Sequence, residues 1–180
     1  KNFLLIGNHF SIQYNSKNQN RNGYFKIEIE KIFTPYFLED KTKLSCILYS
    51  LYLIKILTVE NQVNQNIYNH LYKLYDLLNE DEWIKKFIFW ELEFIKFVGY
   101  DIDFSNYVDL NQFKENNSYI QTYDGSKHIP SFLLNNNKSK IDNNELKDGL
   151  KVVGDFLNKS VLIPNNINYP LLRNEFVKLI

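Results

Sequence analysis

Two stretches near the N-terminus alternate apolar and polar side chains with a period of two. The apolar members of NHFSIQYN and GYFKIEIEKIF are Phe10, Ile12, Tyr14, Phe25, Ile27 and Ile29. Strict alternation predicts half-buried β-strands, and the polar run NSKNQNRNG between them predicts a hairpin loop. Because two strands do not form a stable sheet alone, we expect these strands to need further partners.

From Asp40 onward the apolar positions recur with the period of an α-helix. DKTKLSCILYSLYLIKILT and NIYNHLYKLYDLLNE predict two helices, a third runs from about Glu80–Asp81 to Gly99, a fourth covers about 143–158, and a fifth starts at Pro170. The less regular region 101–141 contains SYIQTYDGSKHIP, which predicts a short hairpin turning at Asp-Gly. The predicted fold class is therefore α+β with helix dominant.

The strands and the helices suggest two domains. Residues 1–36 are interpreted as the last strands of an incomplete β domain, and 37–180 as a helical domain that carries the insert. The chain has no methionine, even at position 1, and its first strands lack partners. We therefore expect an N-terminal piece to be missing.

The composition is that of a globular chain, with 180 residues, 44% hydrophobic and 16% aromatic. The formal net charge is zero, which argues against a protein that is basic over its whole surface but not against a local basic patch. Cys46 lies in an apolar run, so it is predicted to be a buried, inert thiol, and one free cysteine suits a reducing cytoplasm. No uncharged apolar run reaches about 18 residues, so no membrane span is expected.

Side chains that could carry chemistry are scattered along the chain. His9, His70 and His128 have no spacing suited to a metal site, and His70 is expected to be a surface or partly buried structural residue. Glu91 and Glu93 lie two residues apart on different helix faces, so Glu91 is expected to pair or cap locally and Glu93 to be solvated. There is no Gly-rich phosphate loop and no nucleophile elbow. We expect no enzyme activity, no cofactor and no metal.

Basic charge is concentrated in the strand region. Residues 1–31 hold five basic and two acidic side chains. The basic and aromatic residues on or beside the polar loop are Lys17, Arg21, Lys26, Tyr14, Tyr24 and Phe25. Such a loop on a small sheet is typical of OB-type single-strand binders, which attract phosphate and stack bases. A solvated hairpin loop gives the same pattern, and spacing alone favours it.

Several segments together resemble the bacterial recombination mediator family RecO. WELEFIKFVGYDIDF is similar to the family's apolar helix that leads into a Gly-Tyr turn, and IYNHLYKLYDLL to its Leu/Tyr-rich helix. LKVVGDFLNKSVLIPNNINYPLLRNEFVKLI is similar to the end of the family, and LLIGNHFSIQYNSKNQNRNGYFKIEI to the last strands of its OB domain. The resemblance covers essentially the whole chain in the right order. It implies a remnant of an N-terminal OB-type domain followed by a helical domain.

One region departs from many members of that family, which carry a four-cysteine zinc module after the Gly-Tyr turn. Here the region reads SNYVDLNQFKENNSYIQTYDGSKHIP, without cysteine. The chain therefore resembles the zinc-free branch. The insert is expected to be held by the packing of Tyr107, Phe113, Tyr119, Ile120 and Ile129.

The resemblance implies a non-enzymatic role in DNA repair. Members bind single- and double-stranded DNA, anneal complementary strands, and work with RecR to load RecA onto DNA coated by single-strand-binding protein. This role implies a cytoplasmic, nucleoid-associated protein that acts in the response to DNA damage. The residues predicted to contact DNA phosphates are Lys17, Arg21 and Lys26.

The resemblance also implies that the helical domain docks the acidic C-terminal tail of the single-strand-binding protein. Such a tail needs an apolar pocket and a nearby cation for its carboxylate. Charge and placement make Lys151, Lys159 and Arg173 the candidates, although solvated helix charges explain them equally well. The alternative is a helical protein–protein interaction module without DNA binding, which the zero net charge and the acidic segment 32–83 favour.

Overall fold

A computed structural model describes residues 4–16, 22–60, 62–108, 117–125, 127–134 and 141–180. The described residues form five α-helices and two antiparallel two-stranded sheets, so the prediction of mixed helix and small sheets is confirmed. The strands are β1 His9–Asn15, β2 Tyr24–Lys31, β3 Tyr119–Gln121 and β4 His128–Pro130. The helices are α1 Lys41–Leu57, α2 Gln65–Leu77, α3 Trp83–Phe97, α4 Asn143–Phe156 and α5 Leu171–Lys178.

Side-chain caps fix where three of the helices begin. The Asp40 carboxylate accepts from the first amides of α1, and the Asn64 side chain accepts from Ile67 N at the start of α2. Asp142 and Glu145 form a reciprocal capping box on α4. Each cap satisfies amides that have no partner inside the helix.

Helix α3 begins slightly later than its sequence pattern predicts. Glu82 has a left-handed φ of 56°, so the helical path cannot run through it and starts at Trp83 instead of near Asp81. At the other end Gly99 has a φ of 96°, as expected for a glycine that closes a helix.

The core lies among the helices. Helix α1 packs against α5, α2 against α3, and α3 against α4. The largest completely buried aromatic side chains are Tyr49, Phe87, Phe94, Phe132 and Phe176. Burial of each such side chain contributes about 1.5–3 kcal/mol, so this set makes a large contribution to the stability of the helical part. Cys46 is also fully buried, and burial followed by the charge of Glu91 raises the pKa of its thiol, as expected for an inert cysteine.

The β3–β4 hairpin rests on α4 through apolar side chains and contacts from its loop. Ile120, Ile129 and the adjacent Val108 are buried, whereas Tyr107 is 52% exposed and contributes less than predicted. Phe113 lies outside the described residues. Helix α4 widens after Phe156 into a π-type turn over Leu157–Leu162, which leads to the linker before α5.

The β1–β2 hairpin is joined to the helices through its base. The Asn8 side chain accepts from the amides of Phe33 and Thr34, and the Tyr75 hydroxyl donates to the Gly7 carbonyl at 2.7 Å. Gly7 has a φ of 95°, and a Cβ there would lie 2.4 Å from Thr34 Oγ1. Only glycine fits this close approach.

Candidate functional site

One face of the β1–β2 hairpin is entirely apolar and uncovered. The register places Phe10 opposite Ile29, Ile12 opposite Ile27, and Tyr14 opposite Phe25. Directly opposed residues share a face of the sheet. Five of the six side chains are at least 40% exposed, and the rings of Tyr14 and Phe25 lie 5.1 Å apart.

Lys26 lies on the opposite, polar face. It pairs with Glu28 at 2.6 Å while 59% of its side chain stays exposed. An exposed pair of this kind contributes little, so the ammonium group is available to another anion. Tyr24 shares this face because it is two residues from Lys26, whereas Tyr14 and Phe25 do not. Tyr14 and Phe25 therefore lie on one face of the hairpin and Tyr24 on the other, although the sequence pattern groups the three together. Lys17 and Arg21 lie outside the described residues, so their predicted role is still a prediction.

Arg173 lies in the interior, not at the surface where a tail-binding cation is expected. Its guanidinium forms a two-pronged ion pair with the Glu91 carboxylate, with both N–O distances 2.9 Å. It also donates to the Leu150 carbonyl and the Tyr169 hydroxyl. The side chain of Tyr49 donates to the same carboxylate.

This network fastens α5 to α1, α3 and α4. Burial acts to lower the pKa of Arg173, but the charge of the Glu91 carboxylate outweighs it and holds that pKa above its usual value. Burial and then the charge of Glu91 raise the pKa of the Tyr49 hydroxyl. The expected pairing of Glu91 is found, but its partner is 82 residues away and not local. Nearly all donors of Arg173 are used inside the protein, so its side chain serves the core.

A groove of about 580 Å³ runs between α4 and α5. Its exposed cations are Lys147, Lys151 and Lys178. Its neutral polar members are Asn158, Asn174 and Tyr169. The two α4 aspartates at its edge are engaged by the insert: Tyr119 donates to Asp148 at 2.8 Å, and Lys127 pairs with Asp155 at 3.0 Å. Burial and the bond to Asp148 raise the pKa of Tyr119 to about 12, so its hydroxyl keeps its proton at neutral pH.

Lys159 lines a different cavity, which borders the groove at Asp155. This pocket of about 210 Å³ is formed mainly by Ile102, Phe104, Ile129, Val152 and Phe156. Lys127 and Lys159 also line it, beside Asp155. Of the three predicted tail-binding residues, the structure therefore places Lys151 and the buried Arg173 at the α4–α5 groove, and Lys159 at a separate apolar pocket.

A third depression of about 760 Å³ lies between the end of α1, the start of α2 and the end of α3. Ile54, Leu57, Ile67, Leu71 and Phe97 line it together with several neutral polar side chains, and none of its described lining residues is charged. Val63 in the adjoining loop is 98% exposed. This surface is suited to a mainly apolar, uncharged partner.

His70 is buried, contrary to the expectation of a surface or partly buried residue. Its ring stacks on Trp90 with centroids 4.6 Å apart, and Nε2 lies 2.9 Å from the Trp90 carbonyl oxygen. Burial lowers the pKa of His70, so the ring is neutral at pH 7 and donates from Nε2. Glu93 is half exposed and lies 3.6 Å from Nδ1, so it is solvated on one side as predicted.

Sequence reasoning missed Lys147 and Lys178 as groove residues. The spacing of Lys147 and Lys151, four residues apart on one helix, was the available signal. Within the described ranges, no group of three or more His, Cys, Asp and Glu side chains is placed to hold a metal ion. No helix in that part of the chain has both the length and the apolar character needed to cross a membrane.

Comparison with known proteins identifies the family. The family model described as "Recombination protein O C terminal" matches residues 38–166. The DNA repair protein RecO of Ehrlichia chaffeensis is 27% identical, with the match covering 98% of this chain and 80% of that protein. The RecO proteins of Rickettsia canadensis and Wolbachia pipientis wMel are 27% and 26% identical, covering 88% and 97% of this chain and 70% and 80% of theirs.

No solved structure matches the chain significantly. The family match nevertheless extends over far more than half of the 180 residues, and it includes α1 to α4 and the insert. The chain therefore belongs to the RecO family.

Proposed function

We propose that this protein is a recombination mediator in DNA repair. It binds and anneals DNA and, with RecR, helps RecA load onto single strands that single-strand-binding protein covers. The observation that carries the proposal is the family match over residues 38–166, together with relatives named DNA repair protein RecO. The role is non-enzymatic and is exercised in the cytoplasm, close to the nucleoid.

The first part of this proposal concerns the hairpin. Its wholly apolar face suits the inside of a small β-barrel, and its polar face suits the outside. We assign β1 and β2 to a remnant of an OB-type domain on this ground. In that arrangement Tyr14 and Phe25 belong to the barrel interior, and Tyr24 and Lys26 to the DNA-binding exterior. Lys17 and Arg21, in the loop between the strands, add further phosphate contacts.

The second part concerns the tail of the single-strand-binding protein. The pocket beside Lys159 has the two features that an acidic tail ending in phenylalanine requires. Its volume of about 210 Å³ accommodates one aromatic ring, and Lys159 and Lys127 supply cations for a carboxylate. Arg173 supports this part of the fold from the interior, and Lys151 lies in the adjacent groove, which shares Asp155 with this pocket.

Strand annealing in the presence of single-strand-binding protein tests the proposal. Two complementary oligonucleotides carrying a donor and an acceptor dye are coated with that protein and then mixed. The chain is expected to accelerate annealing, as read by energy transfer, and RecR is expected to bind to it. An annealing rate that the chain leaves unchanged at saturating concentration contradicts the proposal.

Tail docking is tested separately by fluorescence anisotropy of a labelled acidic peptide ending in Asp-Phe. Binding is expected to vanish when the final Phe is replaced by Ala, and to weaken with Lys159→Glu. The matched control is Lys55→Glu, an exposed lysine on α1 with no recorded ion pair among the described residues. Equal loss in both variants, or none in either, contradicts the assignment of the pocket.

A helical interaction module without DNA binding is the second candidate. The uncharged depression between α1, α2 and α3 favours it, because such a surface suits an apolar partner. Annealing activity would exclude this candidate.

A further inference from the structure

Helix α4 carries a run of alternating charges whose pairing is unusual. Along one side lie Lys147, Asp148, Lys151 and Asp155, at spacings that normally allow Lys151 to pair with either aspartate. Neither pair is present. The β3–β4 hairpin engages both carboxylates instead, Asp148 through the Tyr119 hydroxyl at 2.8 Å and Asp155 through the Lys127 ammonium at 3.0 Å.

Two lysines are thereby left on the same face of α4. Lys147 and Lys151 are four residues apart, a like-charge arrangement that destabilises a helix. Lys178 faces the same groove from α5. Among the described residues, none of these three ammonium groups has a protein carboxylate within ion-pair distance, whereas Lys127 on the neighbouring hairpin does. With Asp155 paired to Lys127, these three lysines exceed the one remaining groove carboxylate, Asp148, so the groove carries net positive charge between two helices.

Besides the lysines and the two aspartates, the groove is lined by neutral polar residues. Asn158 and Asn174 offer amide donors, and Tyr169 offers a hydroxyl held against the buried Arg173. Lysine, asparagine and tyrosine are the side chains that contact phosphate oxygens in nucleic-acid complexes. The apolar pocket that would receive an aromatic side chain of a peptide is a separate cavity that borders the groove at Asp155.

We propose that the α4–α5 groove binds the phosphodiester backbone of a nucleic acid through Lys147, Lys151 and Lys178. It is a second contact, separate from the hairpin loop, and it reads no sequence because it touches only phosphate. The groove and its charge do not depend on the proposed DNA-repair role, but the choice of a nucleic acid as the polyanion rests on it.

The salt dependence of DNA binding tests this site. The anisotropy of a labelled poly-dT strand is measured with the chain over a range of salt concentrations. The double variant K147Q/K151Q neutralises two of the three lysines. It is expected to reduce the slope of log K against log salt by about 1.4, which corresponds to about 25-fold weaker binding at 0.1 M salt. The control K41Q/K55Q removes the same charge from exposed positions on α1 and is expected to bind within about twofold of the parent chain.

A second variant tests the site without changing the net charge. Tyr119→Phe removes the hydroxyl that engages Asp148, three residues from Lys151. The released carboxylate is expected to pair with Lys151 and to weaken DNA binding severalfold. Circular dichroism and the urea midpoint are used to show that each variant remains folded.

Three results would overturn the inference. One is a slope that K147Q/K151Q leaves unchanged, in which case the hairpin carries the DNA and the proposed function stands. Another is an equal loss in K41Q/K55Q, which reduces the effect to net charge. The third is that a labelled polyglutamate peptide binds through the same lysines as tightly as DNA. In that case the groove is a binding site for acidic peptides. Failure of the parent chain to bind DNA or anneal strands would instead contradict the proposed function itself.

Discussion

The helical part of the molecule buries its large apolar side chains, whereas the β1–β2 hairpin leaves comparable side chains exposed to solvent. Phe87 on α3 is completely buried, whereas Phe25 on β2 is 64% exposed. The helices even enclose a charged pair, Glu91 and Arg173, with relative exposures of 0% and 2%. On the hairpin, the wholly apolar face contacts nothing in the described part of the chain that covers it.

This difference shows that the two regions reach their stability by different routes. The helices pack on each other within residues 41–178, so their apolar faces are satisfied locally. A two-stranded sheet has no second layer of its own, and its face is buried only when another element supplies that layer. The helical part therefore buries most of its apolar surface by itself, whereas the hairpin leaves one apolar face largely exposed.

Replacing one buried and one exposed phenylalanine is expected to give the largest difference in stability between the two regions. Phe87→Ala leaves a cavity among buried aromatic rings and is expected to lower the free energy of unfolding by about 3–5 kcal/mol. Phe25→Ala removes the same atoms from an exposed position and is expected to change it by less than about 0.5 kcal/mol. Urea denaturation followed by circular dichroism measures both. Similar losses at the two positions would show that the hairpin face is covered.

Breaking the buried ion pair between Glu91 and Arg173 measures how much this pair contributes to the stability of the helical core. Arg173→Met leaves the Glu91 carboxylate buried without its cation and is expected to cost about 3–5 kcal/mol. The double variant E91L/R173M removes both charges and is expected to recover much of that loss. Lys178→Met, an exposed change on the same helix, is the control and should stay within about 0.5 kcal/mol. A double variant as unstable as the single one would indicate that packing, not charge, explains the loss.

Gly154 on α4 gives a smaller test of the same network. A Cβ there would lie 2.2 Å from Arg173 Nη1 and 2.7 Å from the Tyr169 hydroxyl. Ala is favoured over Gly in a helix by up to about 1 kcal/mol, but this clash with a guanidinium held by Glu91 is expected to outweigh it. Gly154→Ala should therefore destabilise by about 1–3 kcal/mol in the same urea assay. A stabilised variant would mean that Arg173 moves freely.

The smallest effect concerns pH. Burial holds the pKa of His70 below its ordinary value of 6.5, so the folded protein binds the imidazole proton less readily than the unfolded chain. Stability is therefore fully present above about pH 6.5 and falls as the pH drops below it, by at most about 1.4 kcal/mol per unit from this group. Unfolding free energies at pH 7.5 and 5.5 measure the fall, and His70→Gln should reduce it. A rise in stability on acidification would mean that His70 pairs with Glu93 as a cation.

Local patterns predicted the elements well, because each is specified within a few residues. The alternation around Ile12 and Ile27 indicates strands, and Asp40, Asp142 and Gly99 mark helix ends. Long-range pairings were not predictable in this way. Nothing near Glu91 in the sequence indicates Arg173 as its partner, 82 residues away.

The candidate sites also depend partly on local sequence patterns and partly on contacts between distant residues. The basic character of the hairpin loop is visible in sequence, but the face on which each aromatic lies follows from register. The availability of Lys151 depends on whether Asp148 and Asp155 turn toward it or toward the insert, and only the tertiary structure decides that. The burial of Arg173 and His70 likewise depends on elements distant in the chain.

Native-state hydrogen exchange measures directly whether the hairpin is less protected from opening than the helices are. The amides of the β1–β2 ladder and those in the centres of α1 and α3 are followed together under conditions that favour the folded state. We predict that the helical amides exchange only through global unfolding, whereas the hairpin amides exchange much faster because a two-stranded ladder without a covering layer opens readily. Hairpin amides protected as strongly as those of α3 would contradict the account and show that its apolar face is already covered.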